Sequence, residues 1–543
     1  MTFLETDGDA GLQGELGLHG DLGLHGDFGL LSPVSASPHV AALTGDRAVL
    51  GAILKVEAAW AAVLDEAGLA PAGSAAVVAA AADVQRYDVA GIAVRAQGGG
   101  NPVIPLLADL REQVRNLDTA GLGAVQAIHT SLTSQDVLDS ALMVLAAGAI
   151  RELLAELRTA TAALAGLAEA HAHTLCVARS LTQHSLPYTF GLRAAQWFSG
   201  LAAAASRLEA LELPVQTGGA AGTLASGTVL TDGAVLTDGA GLTDGTGLTP
   251  GALTPEPLSP FDLADRLAAR LGLAPVPAPW HTNRLAVTAL GDALAAVTDA
   301  AGKMAADVLF LSRPEVAEIA EPRAAGRGVS SAMPQKQNPV LSVLIRSAAL
   351  QAPALAAQLH LAAANFNDER PDGAWHSEWA ALRQLLRLAL GAAGQLRELA
   401  EGMAVFPGTM RRNLGLGGPL LLSEAVNAAV APLLDGAVLN GRALDGRGAG
   451  TGAGRTGKQR LQAVVDETLR APAADQADTY RALLRAAVPE ELLTDARLEE
   501  LLNPANYLGQ SVEISRRILA AYPEYTGQAG AIAHQLQNGA SRG

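Results

Sequence analysis

Apolar positions recur along this chain at three- and four-residue steps. Ile150, Leu153, Leu154, Leu157, Leu164 and Leu167 form one such series, and Leu290, Leu294, Val297, Ala301, Met304, Val308 and Leu311 form another. That spacing puts each series on one face of a helix and predicts long helices of the kind that pack in bundles. No strand–helix alternation with a phosphate loop appears, and Gly98-Gly99-Gly100 lacks the spacing of a dinucleotide loop. Two segments break the pattern with six-residue repeats, Gly11–Leu31 (GLQGELGLHGDLGLHGDFGLL) and Leu230–Gly251 (LTDGAVLTDGAGLTDGTGLTPG). Gly-rich repeats bury too little apolar surface to offset the entropy of ordering, so both are expected to be flexible, as is a third Gly-rich patch at Asp435–Gly457.

Composition agrees with helices. Of 543 residues 49% are hydrophobic but only 3% aromatic, so Ala, Leu and Val carry the core. The net charge of −16 argues against nucleic acid or an anionic membrane as partner, because both call for a concentrated basic surface. The single cysteine, Cys176, excludes an internal disulfide framework and points to a reducing cytoplasm. The first ten residues carry Glu5, Asp7 and Asp9 and lack the pattern of a secretion signal. The uncharged stretch Ser347–Asn367 contains Gln, Pro, His and Asn and reads as a buried helix, so no membrane span is expected.

The candidate chemistry centres on Gly326–Val340, GRGVSSAMPQKQNPV. This polar loop lies between an apolar helix ending near Ser312 and another beginning near Pro339, with Asn338-Pro339 as an expected cap and first turn. A loop feeding a helix N-terminus favours anions there. Only four of the 38 basic residues are lysines, which makes Lys336 in this loop the more notable.

Residues 328–339, with Ser330, Ser331, Met333, Pro334, Lys336, Asn338 and Pro339, resemble the GSSxMPxKxNP signature of the fumarase/aspartase superfamily; Val329 stands where a second Gly is common. His129–Asp136 (HTSLTSQD) resembles the family's HxGxTSxD segment, with Ser131 in place of Gly, and Gln216–Thr223 (QTGGAAGT) resembles its Gly-rich loop. Gly100–Pro105, Leu186–Ala195, Pro279–Arg284 and Asn506–Gly509 are similar to the branch that lactonises 3-carboxy-cis,cis-muconate.

The resemblance implies a mostly α, three-domain fold with a central long-helix bundle. The expected parts are a Gly-rich extension at 1–38, an N-terminal helical domain at 39–132, a central domain at 133–400 with the insert at 227–259, and a C-terminal helical domain at 401–543 with the loop at 435–457. It implies a homotetramer with active sites shared between subunits, a small tricarboxylate substrate, and no metal or organic cofactor. By resemblance Ser330 is the acid/base on a mobile loop, with Lys336 as point charge and Asn338 as amide donor. His129, Thr133, Ser134, Gln216, His281, Arg284, Ser331 and Met333 are the implied substrate contacts. From the residues alone, Thr133 and Ser134 cap the helix that follows, and His129, His281 and Arg284 have structural roles. Trp375 and Trp379 read as core or pocket wall.

Two departures narrow the chemistry. Superfamily lyases carry a Thr-His pair where this chain has Ser180-Leu181, and a Glu where it has Val343. A leucine cannot transfer protons, so a leaving group that needs an acid is disfavoured and a carboxylate is favoured, although His173 and His184 lie nearby in sequence. The expected activity is therefore the cycloisomerisation of 3-carboxy-cis,cis-muconate to its γ-lactone in aromatic catabolism. A fumarate-releasing adenylosuccinate- or argininosuccinate-type lyase and a non-catalytic homologue are the alternatives.

Overall fold

A computed structural model describes residues 30–239, 258–439, 455–472 and 475–527. The described chain is mostly helical, as the apolar spacing predicts. Its longest helices are Ser134–Ala170, Leu285–Leu311, Val340–Ala363 and Ala374–Gly402. At a rise of about 1.5 Å per residue, the first extends for roughly 55 Å. Leu153, Leu157 and Leu164 on it, and Leu290, Leu294, Val297 and Met304 on the second, are all buried, so both apolar series face a core.

The chain folds into two compact units. One comprises residues 1–154, 206–298 and 347–392; the other comprises 155–205, 299–346 and 393–543. Their boundaries fall within the long helices, so each unit is assembled from stretches distant in sequence.

In the first unit the Asp46–Glu66 helix buries Ile53, Leu54, Trp60, Val63 and Leu64 and packs on the helices Ser74–Ala81 and Pro260–Leu271. Pro260–Leu271 starts with a full capping box between Ser259 and Asp262 and stops at Gly272, whose positive φ closes the helix. Core packing begins ahead of residue 39: Val34 and Ser35 are buried against Gly391, where any side chain would collide with the Val34 carbonyl.

In the second unit Leu175–Ser180 and Gln183–Thr189 pair as an antiparallel hairpin, with a register shift between Val177 and Arg179. The helical spacing gives no sign of it, because the segment is short and mixes polar with apolar residues. Its two-residue turn, Leu181-Thr182, has both residues at positive φ (50° and 70°), the geometry that matches strand twist but strains any residue with a Cβ. A second two-stranded pair joins Ile319–Ala320 to Ala404–Val405. Val430, Leu434, Leu461, Tyr480 and Leu484 form a core among the C-terminal helices.

The expected flexible segments are only partly so. The first repeats of the 227–259 insert continue a helix, Ala225–Gly239, along which Thr231 is buried and donates its hydroxyl to the Gly227 and Thr228 carbonyls. The rest of that insert, the repeats at 11–29 and the centre of the 435–457 patch lie outside the described residues. That patch is bounded by the helices Ser423–Leu439 and Gly457–Thr468, joined where the Gly457 N–H donates to Asp435 at 2.6 Å.

The Val340–Ala363 helix differs from the buried helix expected of Ser347–Asn367. It exposes Leu350 (71%) and Leu361 (61%), and with Gly418–Ala437 it is long and apolar enough to cross a membrane. Arg346, Gln351, Pro353 and His360 interrupt its apolar sequence.

Gly191 marks a close approach between backbones. A Cβ there would lie 2.5 Å from the Ala168 carbonyl oxygen and 2.6 Å from Ala172 Cα. Gly191→Ala is expected to destabilise the protein by about 1–3 kcal/mol, read as a lower midpoint in urea with little change in slope.

Candidate active site

The first unit gathers six of the implied substrate contacts around the start of the Ser134–Ala170 helix. Asp136, in the first turn, reaches back to accept the Thr133 N–H at 2.9 Å, one half of a capping box. The same Asp136 oxygen accepts the Gly219 N–H at 3.0 Å, and the other pairs with His281 Nε2 at 2.7 Å. Ahead of the helix, His129 and Ser131 both have positive φ (60° and 63°). A glycine would adopt that conformation at no steric cost, which accounts for the family's Gly at position 131. His129 is held by Glu57, whose carboxylate takes its backbone N–H at 3.0 Å and its Nδ1 at 2.7 Å.

Three residues further along, Asp139 meets Arg284. The guanidinium donates to Asp139 at 2.7 and 3.0 Å and to Glu378 at 2.6–3.1 Å, between the rings of Trp280 and Phe366. Burial works against the charged guanidinium, yet Asp139 and Glu378 together hold its pKa above the ordinary value. Trp375 Nε1 also donates to Asp139, at 2.9 Å, which makes that tryptophan part of the cluster as well as the core. Gln216 exchanges two hydrogen bonds with Ser140 Oγ through its main chain and accepts the Trp280 N–H at 2.9 Å.

The implied substrate contacts therefore differ in kind. Gln216, His281 and Arg284 are 0%, 4% and 2% exposed, and the protein itself engages them through hydrogen bonds. Thr133 and Ser134 stand at the helix start, where the Thr133 hydroxyl accepts from Arg370. Arg370 also donates to the Ala220 and Gly219 carbonyls at 3.1 and 3.4 Å, so it spans the two motif segments. The motifs give no sign of Arg370, Glu57, Asp139 or Glu378. The signals present in the sequence are a lone carboxylate within an apolar helix for Glu57 and the same-face spacing of Asp136 and Asp139.

The second unit carries the signature loop. Its neck closes where the Gly328 carbonyl accepts both the backbone N–H (2.8 Å) and the side-chain amide (3.1 Å) of Asn338. Val329 bridges Gln337, Gln337 donates to the Arg327 carbonyl at 2.7 Å, and Arg327 pairs with Glu398. Gly328 has φ +69°, and a Cβ there would run into the Asn338 backbone. Asn338, expected as a substrate donor, thus secures the loop.

At the loop tip Ser330 Oγ accepts the backbone N–H groups of Met333 at 3.1 Å and Ala332 at 3.3 Å. Two donors aimed at one hydroxyl oxygen favour its anionic form. Ser331, Met333 and Lys336 flank it in the same loop, all three of them exposed. The helix that follows is capped differently from the expectation: Glu321 accepts the N–H groups of Leu341 (3.1 Å) and Ser342 (2.7 Å). An internal carboxylate therefore takes up the anion-binding end of the helix.

Leu181 is at the hairpin tip, 94% exposed. The histidines near it in sequence are poor substitutes for an acid: His173 is exposed, and burial followed by the Arg179 charge lowers the pKa of His184.

A lyase family model matches residues 35–234 and 250–353. A nitrosuccinate lyase of Streptomyces davaonensis is 40% identical over 88% of this chain and 92% of its own. A 3-carboxy-cis,cis-muconate cycloisomerase of Pseudomonas aeruginosa is 35% identical over 89% and 94%. The crystal structure of the 3-carboxy-cis,cis-muconate lactonizing enzyme of Pseudomonas putida superposes with a TM-score of 0.73 at 29% identity, covering 92% of this chain and all of that one. The chain belongs to this lyase family, within the fumarase/aspartase superfamily, and has its mostly helical fold.

Proposed function

We propose that the protein interconverts 3-carboxy-cis,cis-muconate and its γ-lactone, with Ser330 moving the proton on the carbon α to a carboxylate. The observation that carries this reading is the combination of an activated serine with a leucine at the hairpin tip. In the lactonising direction a substrate carboxylate oxygen adds to the diene, forming the C–O bond. The π electrons move onto the neighbouring carboxylate, and the Ser330 hydroxyl delivers its proton to the α carbon. In reverse, Ser330 as serinate removes that proton, the C=C bond re-forms, and the carboxylate departs with the C–O electron pair. A departing carboxylate is a weak base and needs no proton, so Leu181 is no handicap. On the signature loop Lys336 supplies positive charge for a substrate carboxylate. Thr133, Ser134 and Arg370, all in the first unit, are donors of the kind that bind a carboxylate. The cycloisomerase relative and the superposed lactonizing enzyme support the choice of substrate.

The 40% identical relative favours a second reading, elimination of nitrite from nitrosuccinate. There Ser330 removes the proton on the carbon next to the nitro-bearing one, fumarate forms, and nitrite leaves with its electron pair. Nitrite is also a weakly basic anion that departs without an acid. Assembly as a homotetramer belongs to the proposal, supported by the apolar face that Val340–Ala363 leaves exposed within one chain.

The substrates distinguish the readings. The purified protein is expected to remove the diene absorbance of 3-carboxy-cis,cis-muconate and form lactone, while releasing no fumarate from adenylosuccinate or argininosuccinate. Nitrite and fumarate from nitrosuccinate, with no loss of diene, would establish the second reading instead. Ser330→Ala is expected to lower kcat on the true substrate by about 10²–10⁴-fold while melting and assembly stay unchanged, and a fully active variant would remove Ser330 from the mechanism.

A further inference from the structure

The buried pair formed by His281 and Asp136 has more order around it than a substrate contact requires. The His281 backbone is pinned on both sides: its carbonyl accepts Gln135 Nε2 at 2.9 Å, and the preceding Trp280 N–H donates to Gln216. Its ring lies against the Gly-rich loop so closely that a Cβ on Gly218 would come within 2.6 Å of His281 Cε1 and 2.9 Å of Pro279 Cβ. Gly219 and Gly222 beside it have φ of +68° and +72°. The glycines of this motif therefore allow the loop to fold around an imidazole.

Asp136 accepts from the Thr133 and Gly219 main chains, and a carboxylate is an acceptor only, so the hydrogen between it and His281 sits on Nε2. Nδ1 is buried with no hydrogen-bond partner among the described residues. The one side-chain contact that the described residues give this imidazole is the carboxylate of Asp136. The ring can aim that carboxylate.

We infer that His281 is a positioning residue. Through Nε2–H it fixes Asp136, which holds the Thr133 turn and the Gly219 loop in register and thereby sets where Thr133, Ser134 and Arg370 present their donors. This deepens the proposed function and rests on it for the choice of substrate, whereas the structural coupling does not.

Three variants test it. His281→Gln keeps an N–H donor in the Nε2 position, His281→Leu removes it, and Gly218→Ala crowds the ring while leaving every polar group in place. A hydrogen bond to a charged group contributes about 1.5–3 kcal/mol, so His281→Leu is expected to raise KM roughly ten- to hundredfold with kcat changed only a few-fold. In hydrogen–deuterium exchange of the ligand-free protein, segments 129–136 and 216–223 are expected to lose protection together. His281→Gln should restore both readouts, and Gly218→Ala should reproduce the loss.

The inference falls if His281→Leu lowers kcat by about 10²-fold while KM and exchange stay unchanged, since that is the signature of proton transfer. It falls equally if His281→Gln does no better than His281→Leu, or if the two segments keep their protection. Should His281→Leu fail to fold, His281→Gln and Gly218→Ala still decide it. Should the wild type turn over neither substrate, the functional reading fails while the exchange comparison still tests the coupling.

Discussion

A buried guanidinium that must be neutralised organises the first unit. Arg284 lies out of water between two aromatic rings, and Asp139 and Glu378, 145 and 94 residues away in sequence, close on it from different helices. Removing Arg284 would leave two buried carboxylates uncompensated, and breaking such a buried pairing costs about 3–5 kcal/mol. The chain is therefore held to one arrangement of the elements that carry these three residues, and the neighbours of Asp139 inherit that precision. Asp136 precedes it by less than a turn, Gln216 is locked to Ser140 just after it, and Trp375 donates to it directly. The helix start at Thr133 owes its orientation to charges that never face solvent.

The helices and the signature loop were legible in the sequence because their information is local. Apolar residues at three- and four-residue steps define a face, and Gly328, Ser330 and Pro339 constrain the backbone where they stand. Function-class arguments from charge and from Leu181 were local too. The partners of the site residues were not legible. Arg284 carries no mark that its carboxylates stand at 139 and 378, and Arg370 gives no hint that it spans Thr133 and Gly219. Those pairings exist only after the helices pack. The same holds for Glu321, which displaces Asn338 from the expected capping role because it arrives from the end of the Ile319–Ala320 strand. Asn338 is left to close the loop neck. Ser131 shows the reverse case: its departure from Gly was visible in the sequence, and the positive φ that gives the departure meaning came with the structure.

The hairpin tip and the loop tip make complementary statements about proton movement. At Ser330 two backbone donors converge on one oxygen, an arrangement that assists a base. At Leu181 an apolar side chain extends into solvent from a strained turn, an arrangement that can donate nothing. In the proposed reaction Ser330 moves the proton in both directions, and position 181 contributes none. Weakly basic anions as attacking or departing groups are common to both reactions proposed above.

The Glu321 cap has a consequence for how the protein responds to its medium. Because an internal carboxylate already occupies the helix end behind the signature loop, that dipole has little left to offer an incoming anion. Besides Arg327, which pairs with Glu398, the full charge on the loop is Lys336, on an exposed side chain. Exposed charges are screened over roughly 8–10 Å at physiological salt, whereas the Arg284 cluster is shielded from ions by its burial. On the role proposed for Lys336, rising ionic strength should loosen substrate capture long before it loosens the framework, making the protein salt-sensitive in affinity and salt-tolerant in fold.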